Sequence, residues 1–253
     1  MSMLVAFAEI AADCYNEKNC VPGDLHGWRR SDDKQLASTS EANFYACAYQ
    51  RRNTNFVALA YRGTANTKDI VLADAAGIGL SLNALAMHVQ AALDFAYLWS
   101  QKTKNIWLVG HSLGGAYVQI VASVLNMWGF TFNAPGALHL VNMYSNHPFT
   151  KFAGAVCNPT MQLLLPSLGS VDLVDYFSKA LAANDDSAFA AVANYRAQND
   201  PVSRLGTHVG APMISLQVDN SPLKIHRMAT IVEALGGTVY SPKSAGGDSS
   251  AAD

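Results

Sequence analysis

Apolar residues recur three and four apart at Leu4, Phe7, Ala8 and Ala11, which predicts an amphipathic helix running to about Tyr15. Asn16 to Asp33 then turns polar and is broken by Pro22, Gly23 and Gly27, as a loop would be. Phe44 to Tyr49 and Asn55 to Tyr61 are short aromatic or β-branched runs, parted by the charged turn Arg51-Arg52-Asn53, and predict an antiparallel hairpin. From Leu85 to Gln101 the helical spacing returns, at Leu85, Val89, Ala92, Leu93, Ala96 and Tyr97. Ile106-Trp107-Leu108-Val109 is apolar without alternation, the pattern of a strand buried on both faces. Gly114 to Met127 reads as a helix and Gly129 to Asn133 as a further strand, so that strand, sharp turn, helix and strand make a βαβ unit.

Beyond this unit the pattern weakens. Residues 137–191 carry apolar clusters interrupted by Pro148, Pro159, Pro166 and Gly169, and read as an inserted helical cap. Val192 to Gln198 and Pro212 to Val218 are strand-like, and a helix follows from about Leu223 to Leu235. Residues 241–253, rich in Ser, Gly and Ala, read as a disordered tail. The elements therefore predict one α/β domain over residues 1–240, with a mostly parallel sheet flanked by helices.

Composition narrows the function classes. With 253 residues, half of them hydrophobic, the chain can bury one large core. Only 14% of residues are charged and the net charge is -2, so no basic field exists to hold phosphate backbones, and nucleic acid is not expected as a partner. No apolar run approaches the roughly 20 residues of a membrane span, and the start lacks the basic and small-residue marks of a secretory signal. Location stays open between the cytoplasm, export by a route that reads no such signal, and a mature chain already stripped of its signal. Of the four cysteines, Cys14 and Cys20 are close enough in sequence to pair, and buried free thiols are the plainer reading. Histidine and cysteine spacing supports no catalytic metal, and no cofactor is expected.

The chemistry concentrates at Gly110-His111-Ser112-Leu113-Gly114-Gly115, which fits Gly-X-Ser-X-Gly between a buried strand and a helix. A serine at so sharp a turn needs glycines beside it, because side chains there would meet the neighbouring strand and helix. The turn raises the hydroxyl above the sheet and surrounds it with the N–H groups of a helix start. A serine nucleophile needs a base, and the base needs an acid, in the chain order serine, acid, histidine on such a fold. His226 is the last histidine and stands in Lys224-Ile225-His226-Arg227-Met228, at the start of the last predicted helix. Asp200 stands at the carboxyl end of a predicted strand, where such sheets gather catalytic groups. Asp219 competes with it, since it also follows a strand and lies nearer to His226. Asp172, Asp175, Asp185 and Asp186 fall in the expected cap, where a solvated helix face explains them.

These residues together resemble the class 3, or fungal-type, lipase family of α/β-hydrolases, and in particular its bacterial effector-like phospholipase branch. Phe56 to Thr64 matches the family's apolar strand ending in Arg-Gly-Ser/Thr, and Asp69 and Asp74 match the acidic positions after it. Ala76 to Ala91 is similar to the bacterial branch. Phe130 to Gly136 matches the strand after the serine, and Ile225 to Leu235 the histidine with its helix. The similarity covers about residues 40–136 and 192–236. A tryptophan frequent in the family is Ile70 here, and the interval from Asp200 to His226 is short beside the fungal enzymes. The resemblance implies an α/β-hydrolase fold and a Ser112-His226-Asp200 triad, with Thr64, through its backbone N–H and hydroxyl, and Leu113, through its backbone N–H, as the oxyanion hole.

The implied activity is hydrolysis of lipid esters, of lipase or phospholipase A type, with transient contact at a membrane surface. The resemblance also implies a lid after Thr64, and residues 70–87 are apolar enough to serve as a flap. Its effector-like side implies a protein partner if the chain is secreted. Alternatives left open are a short-chain carboxylesterase, a serine peptidase, and a catalytically silent member of the fold that binds a hydrophobic ligand or a protein.

Overall fold

A computed structural model of the chain describes residues 2–16, 24–33, 38–41, 44–63, 75–145, 191–219 and 221–239. Helix α1 (Met3–Asp13) comes first, capped by the Ser2 hydroxyl, which accepts from the Val5 N–H. Two short strands, β1 (Trp28–Arg30) and β2 (Ser38–Glu41), pair antiparallel with successive lengths of β3 (Phe44–Arg51). The polar stretch before residue 33, expected to be loop throughout, thus includes an edge strand. Its residues pair with the Tyr49 to Arg51 end of β3, a long-range gain that local patterning does not register. The predicted hairpin of β3 with β4 (Val57–Tyr61) is present.

Helix α2 (Ala75–Ser100) extends ten residues further toward its amino end than the periodicity from Leu85 indicated. It crosses to β5 (Ile106–His111), which lies parallel to β4. Helix α3 (Leu113–Leu125) and β6 (Trp128–Phe132) complete the βαβ unit. Helix α4 (Leu138–Ser145) opens the expected cap, and residues 146–190 of that cap, like the expected tail, lie outside the described residues. Strands β7 (Val192–Ala197) and β8 (Ile214–Leu216) add in parallel register. The last predicted helix is instead two, α5 (Pro222–Ile225) and α6 (Met228–Ala234), because Arg227 is extended at ψ 141°.

The sheet order is β1-β3-β4-β5-β6-β7-β8, with β2 also on β3. Its strands alternate between two cores, as a pleat of period two requires. Ala46, Ala48, Val57, Leu59, Tyr61, Ile106 and Leu108 pack with α2 and α3 on one side. Cys47, Tyr49, Ala58, Ala60, Trp107 and Val109 pack with α1 and α6 on the other. A largely parallel sheet with a helix layer on each face is the α/β-hydrolase arrangement, and it gathers the carboxyl ends of β4 to β7 along one edge. Both Ser112 and Asp200 stand on that edge.

Candidate active site

Strand β5 ends at His111, and Ser112 follows with φ 56° and ψ −130°, a conformation that costs a non-glycine residue on the order of 1–3 kcal/mol. The bond from the Ser112 N–H to the Phe132 carbonyl, 3.0 Å, ties the strained residue to the next strand. The flanking glycines answer to a measurable crowding. A Cβ on Gly110 would stand 2.4 Å from the Gly114 carbonyl oxygen, and one on Gly114 would stand 2.0 Å from that of Tyr61. Ser112 is buried, and the N–H of Leu113 is among the amino-terminal groups that α3 itself leaves without a helical partner.

His226 caps the end of α5, at the break before the extended Arg227. The break is functional in its geometry: a continuous helix would carry the imidazole elsewhere, whereas here Nε2 lies 2.9 Å from Ser112 Oγ. Nδ1 lies 2.7 Å from Asp200 Oδ1. A carboxylate only accepts, so the proton of a neutral ring sits on Nδ1 and Nε2 is left to accept from the serine hydroxyl. The other carboxylate oxygen, Asp200 Oδ2, accepts the Ser203 N–H at 2.8 Å. Asp200 is thereby held from both sides while having 0% exposure. Pro201 and the short 3₁₀ turn Val202–Arg204 present that N–H.

Of the residues singled out from sequence, the structure thus brings Ser112, His226 and Asp200 into one hydrogen-bonded chain. It places Asp219 at the exposed surface after β8, apart from His226. Thr64, Asp69, Asp74, Cys20 and Cys157 lie outside the described residues, as do residues 70–74 of the expected flap and the side chains of 75–87. Gly63, just before Thr64, is described: a Cβ there would stand 2.7 Å from the His111 carbonyl oxygen and 3.0 Å from Ser112 Cβ. The segment leading to Thr64 therefore runs directly against the Ser112 turn. Cys14 is a free, buried thiol, 3.4 Å from that of Cys47, another free thiol.

Three supporting residues carried no sequence signal of their own. Asn133, at φ 47° after β6, spends its amide on both sides: Oδ1 accepts the Ala197 N–H at 2.7 Å, and Nδ2 reaches the carbonyls of Ile225 and His226 at 3.1 and 3.3 Å. His111 and Tyr15 also contact this region, through the elbow. Burial first, then the neighbouring His226, pushes the His111 imidazole down to about 3, so it is neutral at ordinary pH. Among the described residues no group of histidine, cysteine or carboxylate side chains is arranged to hold a metal ion, and no described helix is long and apolar enough to cross a membrane.

Residues 6–155 match the family model described as phospholipase-like, a Tle-like phospholipase domain. Among solved structures, a mutant form of MDLA from Penicillium cyclopium superposes with a TM-score of 0.47 at 16% identity, over 87% of this chain and 83% of the other. A lipase from Rhizopus microsporus var. chinensis superposes with a TM-score of 0.39 at 16% identity, over 56% of this chain and 62% of its own. No curated protein matches the sequence.

Proposed function

The chain belongs to the Tle-like phospholipase domain family and is a lipid ester hydrolase of the serine type, and from that premise we propose that it works by acyl transfer through Ser112. His226 Nε2 takes the hydroxyl proton as Ser112 Oγ attacks the ester carbonyl carbon. The N–H groups of Leu113 and Thr64 receive the oxyanion, each such donor contributing about 3 kcal/mol to barrier lowering. His226 then gives its proton to the departing alcohol, leaving an acyl group on Ser112. Water, deprotonated by the same nitrogen, attacks the acyl carbon and releases the acid. Asp200 keeps the proton of the resting ring on Nδ1 and balances the imidazolium that forms midway.

One observation carries the reading: the unbroken chain from Ser203 N–H through Asp200 and His226 to Ser112, with every member buried. A serine in an incidental glycine turn has no need of a buried imidazole at 2.9 Å. Substrate follows from the family: long-chain lipid esters, phospholipid before acylglycerol, met at a membrane surface.

The test has two arms. A fluorophosphonate probe should label wild-type protein on the peptide containing Ser112, and Ser112→Ala should lose both the label and ester hydrolysis while keeping its circular dichroism. A folded Ser112→Ala variant with full activity would overturn the scheme. A panel from short nitrophenyl esters through triacylglycerols to phospholipids, with positional analysis of released fatty acids, decides the substrate. Turnover confined to short soluble esters would make this a carboxylesterase instead.

A further inference from the structure

A second imidazole stands beside the base without entering the reaction. His111 is 1% exposed, and its ring centroid lies 4.9 Å from that of His226. Both of its nitrogens are engaged. Nε2 is 2.7 Å from the His226 carbonyl oxygen, and Nδ1 is 2.7 Å from the Tyr15 hydroxyl. The carbonyl can only accept, so Nε2 carries the proton. In the neutral ring Nδ1 must then accept, and the Tyr15 hydroxyl donates to it. The Tyr15 oxygen in turn accepts the Gly63 N–H at 3.2 Å. Hydrogen bonds therefore run in one sense from Gly63 through Tyr15 and His111 to the backbone of His226.

This chain joins three pieces of the site that are far apart in sequence. Tyr15 follows α1, 96 residues before His111, and His111 stands 115 residues before His226. Gly63 lies two residues past the end of β4, just before Thr64, and His111 is the residue before the nucleophile. The backbone at His226 is a break between two short helices, so its own secondary structure does little to hold the imidazole at hydrogen-bond distance from Ser112. Side chains from elsewhere must do so, and Asn133 also reaches the same carbonyl.

We propose that Tyr15 and His111 are a pair of positioning residues, which lock the His226 turn and the Gly63 segment after β4 onto the nucleophile elbow. The proposal rests on the reading of Ser112 and His226 as nucleophile and base. Electrostatics favours the same arrangement. The titratable groups facing His111 are Tyr15, His226 and, behind it, Asp200. A cationic His111 would oppose the imidazolium that His226 forms during turnover, and its burial keeps it neutral.

The experiment compares Tyr15→Phe, His111→Gln, His111→Leu and the double variant Tyr15→Phe/His111→Gln, on a soluble short-chain ester. Rates are normalised to active sites counted by a fluorophosphonate burst. Tyr15→Phe should lower kcat and the labelling rate about 10-fold or more with KM unchanged, because misplacement of a catalytic group by about 1 Å costs up to 10²-fold. His111→Gln, which can still donate to the His226 carbonyl, should lose less than His111→Leu. The double variant should lose no more than its worse parent, because the two side chains act in series. Wild-type kcat per active site in Tyr15→Phe, or losses that multiply in the double variant, would overturn the proposal. A merely structural pair would lower Tm and the number of active sites while leaving kcat per site intact.

Nitrogen-15 spectra of the imidazoles judge the chain independently of activity. His111 should be neutral and protonated on Nε2 between pH 5 and pH 8; protonation on Nδ1 would overturn it. If the wild-type protein neither labels at Ser112 nor turns over any ester, the reading of the site fails, and the spectra still decide whether the hydrogen-bond chain exists.

Discussion

Replacing Asp200 by asparagine probes the site where volume is conserved and only one oxygen changes character. Asp200 uses both oxygens, one for the Ser203 N–H at 2.8 Å and one for His226 Nδ1 at 2.7 Å. An amide has one oxygen and one NH₂ group to place in those two positions. With the oxygen toward His226, the NH₂ group faces the Ser203 N–H, donor against donor in a fully buried place, at a cost of about 1–3 kcal/mol. With the oxygen toward Ser203, the NH₂ group donates to Nδ1, and the ring must carry its proton on Nε2, against the serine hydroxyl. That tautomer cannot act as a base. The energy difference favours it by roughly 5- to 150-fold, since about 1.4 kcal/mol is a factor of ten. Loss of negative charge behind the developing imidazolium adds to this. The corresponding substitution in a serine protease lowers kcat about 10⁴-fold, so Asp200→Asn should lose about 10³- to 10⁴-fold in kcat, or roughly 4–5.5 kcal/mol. The assay is initial rate on a soluble nitrophenyl ester, with Tm recorded for each variant. Asp219→Asn, at an exposed position, serves as the control and should be unchanged. Activity of Asp200→Asn within 10-fold of wild type would refute the reasoning, and a loss at Asp219 instead would move the acid there.

Other outcomes follow from the same geometry. Gly114→Ala should cost about 2 kcal/mol or more, a fall in Tm of roughly 4–8 °C by thermal melt, because its Cβ meets backbone at Tyr61 that has little room to retreat. Asn133→Asp should keep the bond from the Ala197 N–H while setting carboxylate oxygen against the carbonyls of Ile225 and His226; kcat on the soluble ester should fall at least about 10-fold. Stability should also fall in acid. An unfolded histidine titrates near about 6.5, whereas His111 in the fold protonates only at about 3. Its neutral burial therefore contributes fully above the unfolded value and is lost as pH falls from there toward 3, by up to roughly 1.4 kcal/mol per pH unit. His208, also shifted down by burial, acts in the same direction. Urea midpoints measured across pH 4 to 7 should show this slope and a shallower one in His111→Gln; equal slopes would remove His111 as its source.

Much of the sheet was legible because its strands advertise themselves. Ile106 to Val109 is apolar on consecutive residues since both faces of β5 are covered, and the hairpin of β3 and β4 is marked by its charged turn. Strand β1 was not legible, because Trp28-Arg29-Arg30 has no pattern of its own and becomes a strand by pairing with β3. The break between α5 and α6 was hidden for a related reason. Local periodicity favours one helix from Leu223 to Leu235, and contacts of His226 with Asp200, Ser112 and His111 hold the backbone open instead.

The sequence by itself determined the sharp turn at Ser112, because glycine, serine and glycine between a buried strand and a helix satisfy a steric demand that is local and leaves few other solutions. It also carried the family, through Gly110 to Gly115 together with Arg62-Gly63-Thr64. Only the tertiary structure decided between Asp200 and Asp219 as the partner of His226, since both follow strands and the choice depends on which strand end lies beside β6. Only it showed that His111 and Asn133 reach the His226 carbonyl and that Tyr15 reaches His111. Such contacts join residues some hundred positions apart through single hydrogen bonds, and a hydrogen bond at that range leaves no periodicity for a sequence to display.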